Sequence, residues 1–132
     1  MTSYPTILQP VLDAADIRGL AEFYRQMFGL TYRPGDELDE GQDWLVLRRP
    51  DGGRALAFQQ VDALPAATWP DGPVPQQIHL DTTVPTAEEL DVQHERALSL
   101  GAKLLLDRSD DPEERLRVYA DPAGHPFCVF VA

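Results

Sequence analysis

The amino-acid sequence predicts an α+β protein built from two tandem βαβββ modules. Each half starts with an apolar, β-prone segment, continues into a capped amphipathic helix that ends at a glycine, and closes with three short strand-like segments. The landmarks recur at a nearly constant offset, because the helix-ending glycines Gly29 and Gly101 are 72 residues apart and the turn glycines Gly53 and Gly124 are 71 apart. A repeat of this kind indicates an internal duplication.

Composition places the chain among ordinary globular proteins. Its 132 residues are 43% hydrophobic and 25% charged, which suffices for one hydrophobic core. No apolar stretch approaches the ~20 residues needed to cross a bilayer, and the first residues lack the features of a signal peptide. We therefore expect a cytoplasmic protein.

The charge of the chain excludes several partners. Asp and Glu number 22 against 11 Lys and Arg, which gives a formal net charge of −11. Such a chain repels nucleic acid and anionic membranes, whereas it suits a cationic small molecule. The single cysteine, Cys128, excludes an intrachain disulfide.

The first module is predicted to span residues 1–61. Residues 6–12 form its first strand, and Asp16 caps a helix that ends at Gly29. The helix is amphipathic, with apolar residues at Ile17, Leu20, Ala21, Tyr24 and Phe28. The remaining strands are predicted at 30–33, 44–48 and 54–61, with a turn at 50–53 between the last two.

A proline-rich connector, residues 62–75, precedes the second module at 76–132. Four prolines exclude a helix or central strand there, and Trp69 within it is expected to pack on the body or close over a pocket. In the second module Thr86 begins a capping box, and its helix stops at Gly101. Strands are predicted at 77–84, 102–107, 115–120 and 125–131.

Strand alternation predicts which polar side chains share a face. In the segment 77–84 the apolar residues occupy one face, which leaves His79 and Asp81 on the other. On the last strand the same rule leaves Cys128 and Phe130 facing away from the helices.

Two motifs resemble the vicinal oxygen chelate superfamily, which contains glyoxalase I, bleomycin-resistance proteins, extradiol dioxygenases and fosfomycin-resistance enzymes. The helix DIRGLAEFY followed by MFGL, from Asp16 to Leu30, is similar to that group's first helix. The turn DPAGHPF, from Asp121 to Phe127, is similar to the turn before its last strand. The stretch WPDGPVPQQIHLD, from Trp69 to Asp81, resembles glyoxalase-like proteins of actinobacteria. The resemblance implies an open, cup-shaped mixed sheet around a pocket, with the helices outside.

The resemblance also implies four metal-ligand positions. On the first strands they are Gln9 and His79, and on the last strands Cys128 and Gln59, although counting from the turn glycine gives Ala57 instead of Gln59. His79 and Cys128, with Asp81 as a third ligand, could hold a divalent metal such as zinc, nickel or iron. The glutamines disfavour the usual glyoxalase I chemistry, because an amide cannot act as a general base.

Two functions follow as expectations. The first is a pocket protein that binds or sequesters a small organic ligand, as bleomycin-resistance members do, and the acidic charge of the chain suits a cationic one. The second is a metal-dependent lyase or isomerase in which the metal polarises vicinal oxygens of the substrate and His79 is the catalytic base. The resemblance further implies a homodimer. The candidate ligand-binding residues are Trp44, Phe58, Trp69, Asp81, Tyr119 and Phe130.

Overall fold

The computed structural model describes residues 3–132 and confirms two βαβββ modules. The chain divides into two compact units, one ending at Asp62 and the next beginning at Ala63, so the proline-rich connector, except for Asp62, is part of the second unit. The elements of the first unit are β1 Val11–Ala14, α1 Ile17–Phe28, β2 Thr31–Tyr32, β3 Trp44–Arg48 and β4 Arg54–Gln60. Those of the second are β5 Leu80–Val84, α2 Ala87–Ser99, β6 Lys103–Arg108, β7 Leu116–Ala120 and β8 Pro126–Val131.

The two units have the same sheet topology. The first sheet has the order β1-β4-β3-β2 and the second the order β5-β8-β7-β6. In each, the first and last strands of the module pair in parallel and the other neighbours pair antiparallel. Both are therefore open, mixed four-stranded sheets, which agrees with the duplication predicted from the sequence.

Helix α1 begins and ends where its capping residues predict. The Asp16 carboxylate accepts a hydrogen bond from the Gly19 amide at 3.0 Å, which satisfies one of the free N–H groups of the first turn. Gly29 ends the helix in the left-handed conformation, at φ 65°, where a side chain would be strained. Between them Leu20, Ala21 and Tyr24 have almost no exposed surface and form the core of this unit.

Helix α2 has a similar cap but a thinner apolar face. The Thr86 hydroxyl accepts a hydrogen bond from the Glu89 amide at 3.1 Å, and the buried residues of the helix are Leu90 and Ala97. His94 adds a polar contact, since its Nδ1 lies 2.8 Å from the hydroxyl of Tyr119 in β7.

A buried arginine completes the contact between α2 and its sheet. Arg117 in β7 is only 8% exposed. Its guanidinium lies 3.1 Å from the Asp91 carboxylate in α2 and 3.2 Å from the Asp107 carboxylate in β6. One charged side chain thus joins the helix to two strands.

The first strand of each module begins later than predicted. The segment 6–12 is ordered as a strand only from Val11, and the segment 77–84 only from Leu80. Pro10 has no N–H to donate, although its carbonyl still accepts from the Ala57 amide. Gln9 and His79 therefore lie just before their strands, not within them. Among the described residues, neither helix is long and apolar enough to span a membrane.

Candidate functional site

The exposed face of the second sheet places three reactive side chains near one another. In the parallel pairing of β5 and β8, Asp81 lies directly opposite Cys128, and Cys128 lies opposite Val118 in β7. Burial alternates along β5, with Asp81 and Thr83 exposed and Val84 buried. Asp81 and Cys128 consequently share the face that points away from the core.

His79 joins this pair from the residue that precedes β5. Its Nε2 lies 3.3 Å from Asp81 Oδ1, within the range of an ion pair or a hydrogen bond. One ligand atom each from His79, Asp81 and Cys128 lies within 4.8 Å of the other two. The His79 and Asp81 side chains are 45% and 61% exposed. We call these three residues the polar triad.

The Cys128 thiol is held in its protonated form. Burial raises its pKa above the ordinary value, and the negative charge and hydrogen bond of Asp81 raise it further. A metal that binds here must displace this proton, as zinc does when a thiol coordinates it.

A small hollow of about 40 Å³ adjoins the triad. It has room for one or two water molecules, since a water occupies ~30 Å³ in the liquid. The hollow lies within the second unit, where its walls are mostly apolar. Its lining residues are Trp69, Gln76, His79, Val118, Pro126 and Cys128.

The connector brings Trp69 to this hollow by folding back on itself. The Thr68 amide donates to the Val74 carbonyl at 2.7 Å, and the Thr68 hydroxyl accepts from the Val74 amide at 2.9 Å. Ala66 packs against Gly124, at a place where a Cβ on that glycine would clash. These contacts fix the loop that carries Trp69 against the second module.

The two glutamine candidates belong to the first unit. Gln9 accepts a hydrogen bond from the Arg54 guanidinium at 3.3 Å, so a cation bound to its oxygen would be repelled by that charge. Gln59 is exposed in β4, opposite Trp44 and Asp13. Ala57, the alternative register, is fully buried and offers no ligand atom in its side chain.

Two of the six expected ligand-binding residues lack an exposed surface. Phe58 and Tyr119 are both fully buried. Phe58 packs on Tyr24 of α1, and Tyr119 bonds to His94 of α2. Both rings face the helices, so neither presents surface to a ligand in this structure. Trp44 and Phe130 are half-buried and, with Trp69 and Asp81, keep surface that a ligand could contact.

Sequence reasoning missed three residues around the hollow: Gln76, Val118 and Pro126. Val118 could have been found from the pairing of β7 with β8, since it lies opposite Cys128. Gln76 precedes the strand, in a segment without periodicity, and carried no signal of its own.

Two βαβββ modules with this strand order define the fold class of the vicinal oxygen chelate superfamily. The family described as "Glyoxalase-like domain" matches residues 9–130, and the chain belongs to it. This confirms the resemblance noted in the first helix and in the last turn. No curated protein matches the sequence.

Solved structures of bacterial proteins share this fold. The fosfomycin resistance protein FosX from Listeria monocytogenes, complexed with Mn(II) and sulfate ion, is 19% identical, with a TM-score of 0.67 over 100% of this chain and 94% of that one. A glyoxalase/bleomycin resistance protein/dioxygenase family enzyme from Burkholderia phytofirmans PsJN is 18% identical, with a TM-score of 0.67 over 94% and 96%. A possible glyoxalase from Bacillus cereus is 20% identical, with a TM-score of 0.64 over 95% and 97%. At these identities the likeness shows the fold alone.

Proposed function

We propose that this protein binds a small organic ligand with a cationic group at the hollow beside the polar triad. One observation carries the proposal: Trp69 lines a hollow that it shares with His79 and Cys128, whose neighbour Asp81 holds an exposed carboxylate. Binding or sequestering a ligand in this way corresponds to the role of bleomycin-resistance proteins, whose family name two of the structural neighbours carry.

An indole and a carboxylate together favour a positive charge. The face of a tryptophan attracts an ammonium or guanidinium group, and Asp81 supplies a full negative charge nearby. The chain's net charge of −11 adds long-range attraction for the same class of ligand. His79 and the Cys128 thiol offer hydrogen bonds that would orient the guest.

The size of the hollow limits what enters it. At about 40 Å³ it is far smaller than the ~300 Å³ at which typical ligand pockets begin. It would therefore hold one end of the ligand, and Phe130 of β8, in the same unit, is the remaining candidate for contacts with the rest.

The test uses benzyltrimethylammonium as the probe and benzyl alcohol as its neutral counterpart. The cation should quench tryptophan fluorescence saturably and raise the Tm, with about 2.7 kcal/mol of added stability at 100 times its Kd. Trp69→Ala and Asp81→Asn should weaken binding about ten-fold, as expected for the loss of ~1–2 kcal/mol.

Matched controls separate this site from general charge attraction. Trp44→Phe removes the other tryptophan, and Asp39→Asn removes an exposed loop carboxylate with the same change in net charge. If Asp39→Asn weakens binding of the cation as much as Asp81→Asn does, the attraction comes from the overall charge of the protein and not from this site. The proposal is then wrong. Trp69→Phe provides a milder variant that keeps an aromatic ring in case Trp69→Ala unfolds the loop.

A metal-dependent lyase or isomerase is the second candidate, favoured by the polar triad itself. An imidazole, a carboxylate and a thiol form a donor set that zinc accepts in catalytic sites with one position left open. A metal held there would polarise adjacent oxygens of a substrate. His79 would hold the metal or, if free, act as the catalytic base that Asp81 orients, whereas Gln9 and Gln59 can supply neither charge nor proton.

Elemental analysis of protein purified without a metal-binding tag tests this candidate. Stoichiometric zinc, nickel or iron should be lost in His79→Ala and Cys128→Ser and retained in His125→Ala, a histidine outside the triad. Wild-type protein that takes up no metal after dialysis against zinc would exclude the candidate.

Homodimer formation and a cytoplasmic location stay predictions, and ultracentrifugation would measure the former.

A further inference from the structure

A pair of arginines stands on the first sheet. Arg48 in β3 lies directly opposite Arg54 in β4, and Thr31 in β2 lies opposite Arg48. The Arg54 guanidinium reaches Gln9, just before β1, at 3.3 Å. These four residues, which we call the arginine row, cross one end of the sheet.

A β-bulge accounts for the pairing. Leu47 lies opposite Leu56, but the next residue, Arg48, lies opposite Arg54, so that Ala55 is the extra residue. A bulge re-aims the side chains beyond it, and here it places the backbones of two arginines directly opposite each other. Like charges directly opposite each other on neighbouring strands are destabilising, so the arrangement has a cost in the isolated protein.

Arg48, and Thr31 opposite it, lie on the sheet face away from α1. Phe58 packs on Tyr24 of α1 and lies opposite Leu45, which places Leu45 on the helix side. Strand β3 alternates without interruption from Leu45, so Arg48 falls on the other face.

Neither arginine has a carboxylate partner among residues 3–132. The Arg48 Nε is buried without a hydrogen-bond partner. Within the described part of the chain, the Arg54 guanidinium bonds to the neutral amide of Gln9. Other arginines of the chain do pair with carboxylates in a protein that is rich in them: Arg25, Arg33, Arg49, Arg108 and Arg117.

We propose that the arginine row binds an oxyanion, the carboxylate or phosphate group of a small organic molecule. Two guanidinium forks present several N–H donors, and the Thr31 hydroxyl and the Gln9 amide add neutral ones. An oxyanion between the forks would relieve their repulsion and supply the acceptor that Arg48 Nε lacks. The site lies in the first module and goes beyond the function proposed above.

The test titrates inorganic phosphate and acetate into the intact protein by calorimetry, with sodium chloride holding the ionic strength constant. One of the two anions should bind saturably, and which one binds better identifies the group recognised. Arg48→Gln and Arg54→Gln should each lower the affinity for this anion about ten-fold or more, because each removes a charged hydrogen-bond donor. Without the anion both variants should melt no lower than the wild type, because the repulsion is gone.

Arg49→Gln is the matched control. Arg49 belongs to the same hairpin, but it is 56% exposed and lies 3.9 Å from Asp51. This variant should bind the anion like the wild type. Equal weakening in Arg49→Gln, or no saturable binding of either anion to the wild type, would overturn the proposal. Trp69→Ala and Asp81→Asn should leave anion binding unchanged, which keeps this outcome separate from that of the cationic ligand.

Discussion

The two modules attach their helices to their sheets by different physical means. Tyr24 and His94 occupy equivalent positions, each eight residues after its helix cap. Tyr24 is fully buried, with its ring centroid 5.1 Å from that of Phe23 and 6.0 Å from that of Phe58. His94 instead makes a hydrogen bond of 2.8 Å to the Tyr119 hydroxyl.

The other contacts between helix and sheet are likewise apolar in the first module and more polar in the second. Helix α1 buries six residues, whereas α2 buries two and relies on Arg117, which pairs with Asp91 on the helix. Both modules nevertheless have the same strand order. Caps, turns and strand pattern therefore suffice to specify this topology, and the interior of each module was free to diverge.

Replacing the central aromatic of the first module should give the largest loss of stability. Tyr24→Ala leaves a cavity among Phe23, Phe28 and Phe58, and removing a buried aromatic ring costs about 3–5 kcal/mol. Urea unfolding monitored by circular dichroism measures the change.

His94→Ala is the equivalent change in the second module and should cost about 1.5 kcal/mol. Its effect comes mainly from the loss of one hydrogen bond to the buried Tyr119 hydroxyl, which keeps a contact with Arg117. Equal losses in the two variants would show that the modules are held alike, contrary to the comparison above.

The sequence predicted the fold well because local signals agree with the global pattern. Asp16, Thr86, Gly29 and Gly101 mark the helix ends through backbone chemistry that acts within a few residues. The starts of β1 and β5 were less predictable, because they depend on where pairing with β4 and β8 begins.

The candidate site was predictable only in part, for a related reason. Strand alternation alone places Asp81 and Cys128 on one face. The pairing of Arg48 with Arg54 depends on a bulge that no sequence signal marked. The burial of Phe58 and Tyr119 was not predictable, because the residue type alone cannot tell an aromatic that faces a helix from one that faces a pocket.

Acid should destabilise both modules, each through one carboxylate. Hydrogen bonds from Arg25 lower the pKa of Glu22 to about 2, and hydrogen bonds from Ser109, with help from Arg117, lower the pKa of Asp107 to about 2. Both pKa values lie below those of the unfolded chain, so their stabilisation is present above about pH 4.5 and is lost as the pH falls toward 2. Because both groups are partly exposed, we expect only about 1 kcal/mol from each.

Urea unfolding between pH 2.5 and pH 5.5 measures this loss. Glu22→Gln and Asp107→Asn should each flatten the fall in stability with pH, and Asp39→Asn should not. Added salt should distinguish the two carboxylates. It should weaken the contact of Asp107 with the buried Arg117 less than the ion pair that Glu22 forms with Arg25 on the helix surface. Equal screening would remove that distinction.

The smallest effects should come from the feature that the modules share. Asp16→Ala and Thr86→Ala each remove a side-chain acceptor from the first turn of a helix, which costs about 1 kcal/mol. Helix α1 has a second acceptor there, because Gln60 Oε1 lies 3.4 Å from the Ile17 amide. That bond serves a different N–H group and cannot replace the one lost at Gly19, so the two variants should lose similar stability in urea unfolding. Serine at either position should restore most of it, whereas a much larger loss for Thr86→Ala would mean that α2, with its thinner apolar face, depends on its cap more than α1 does.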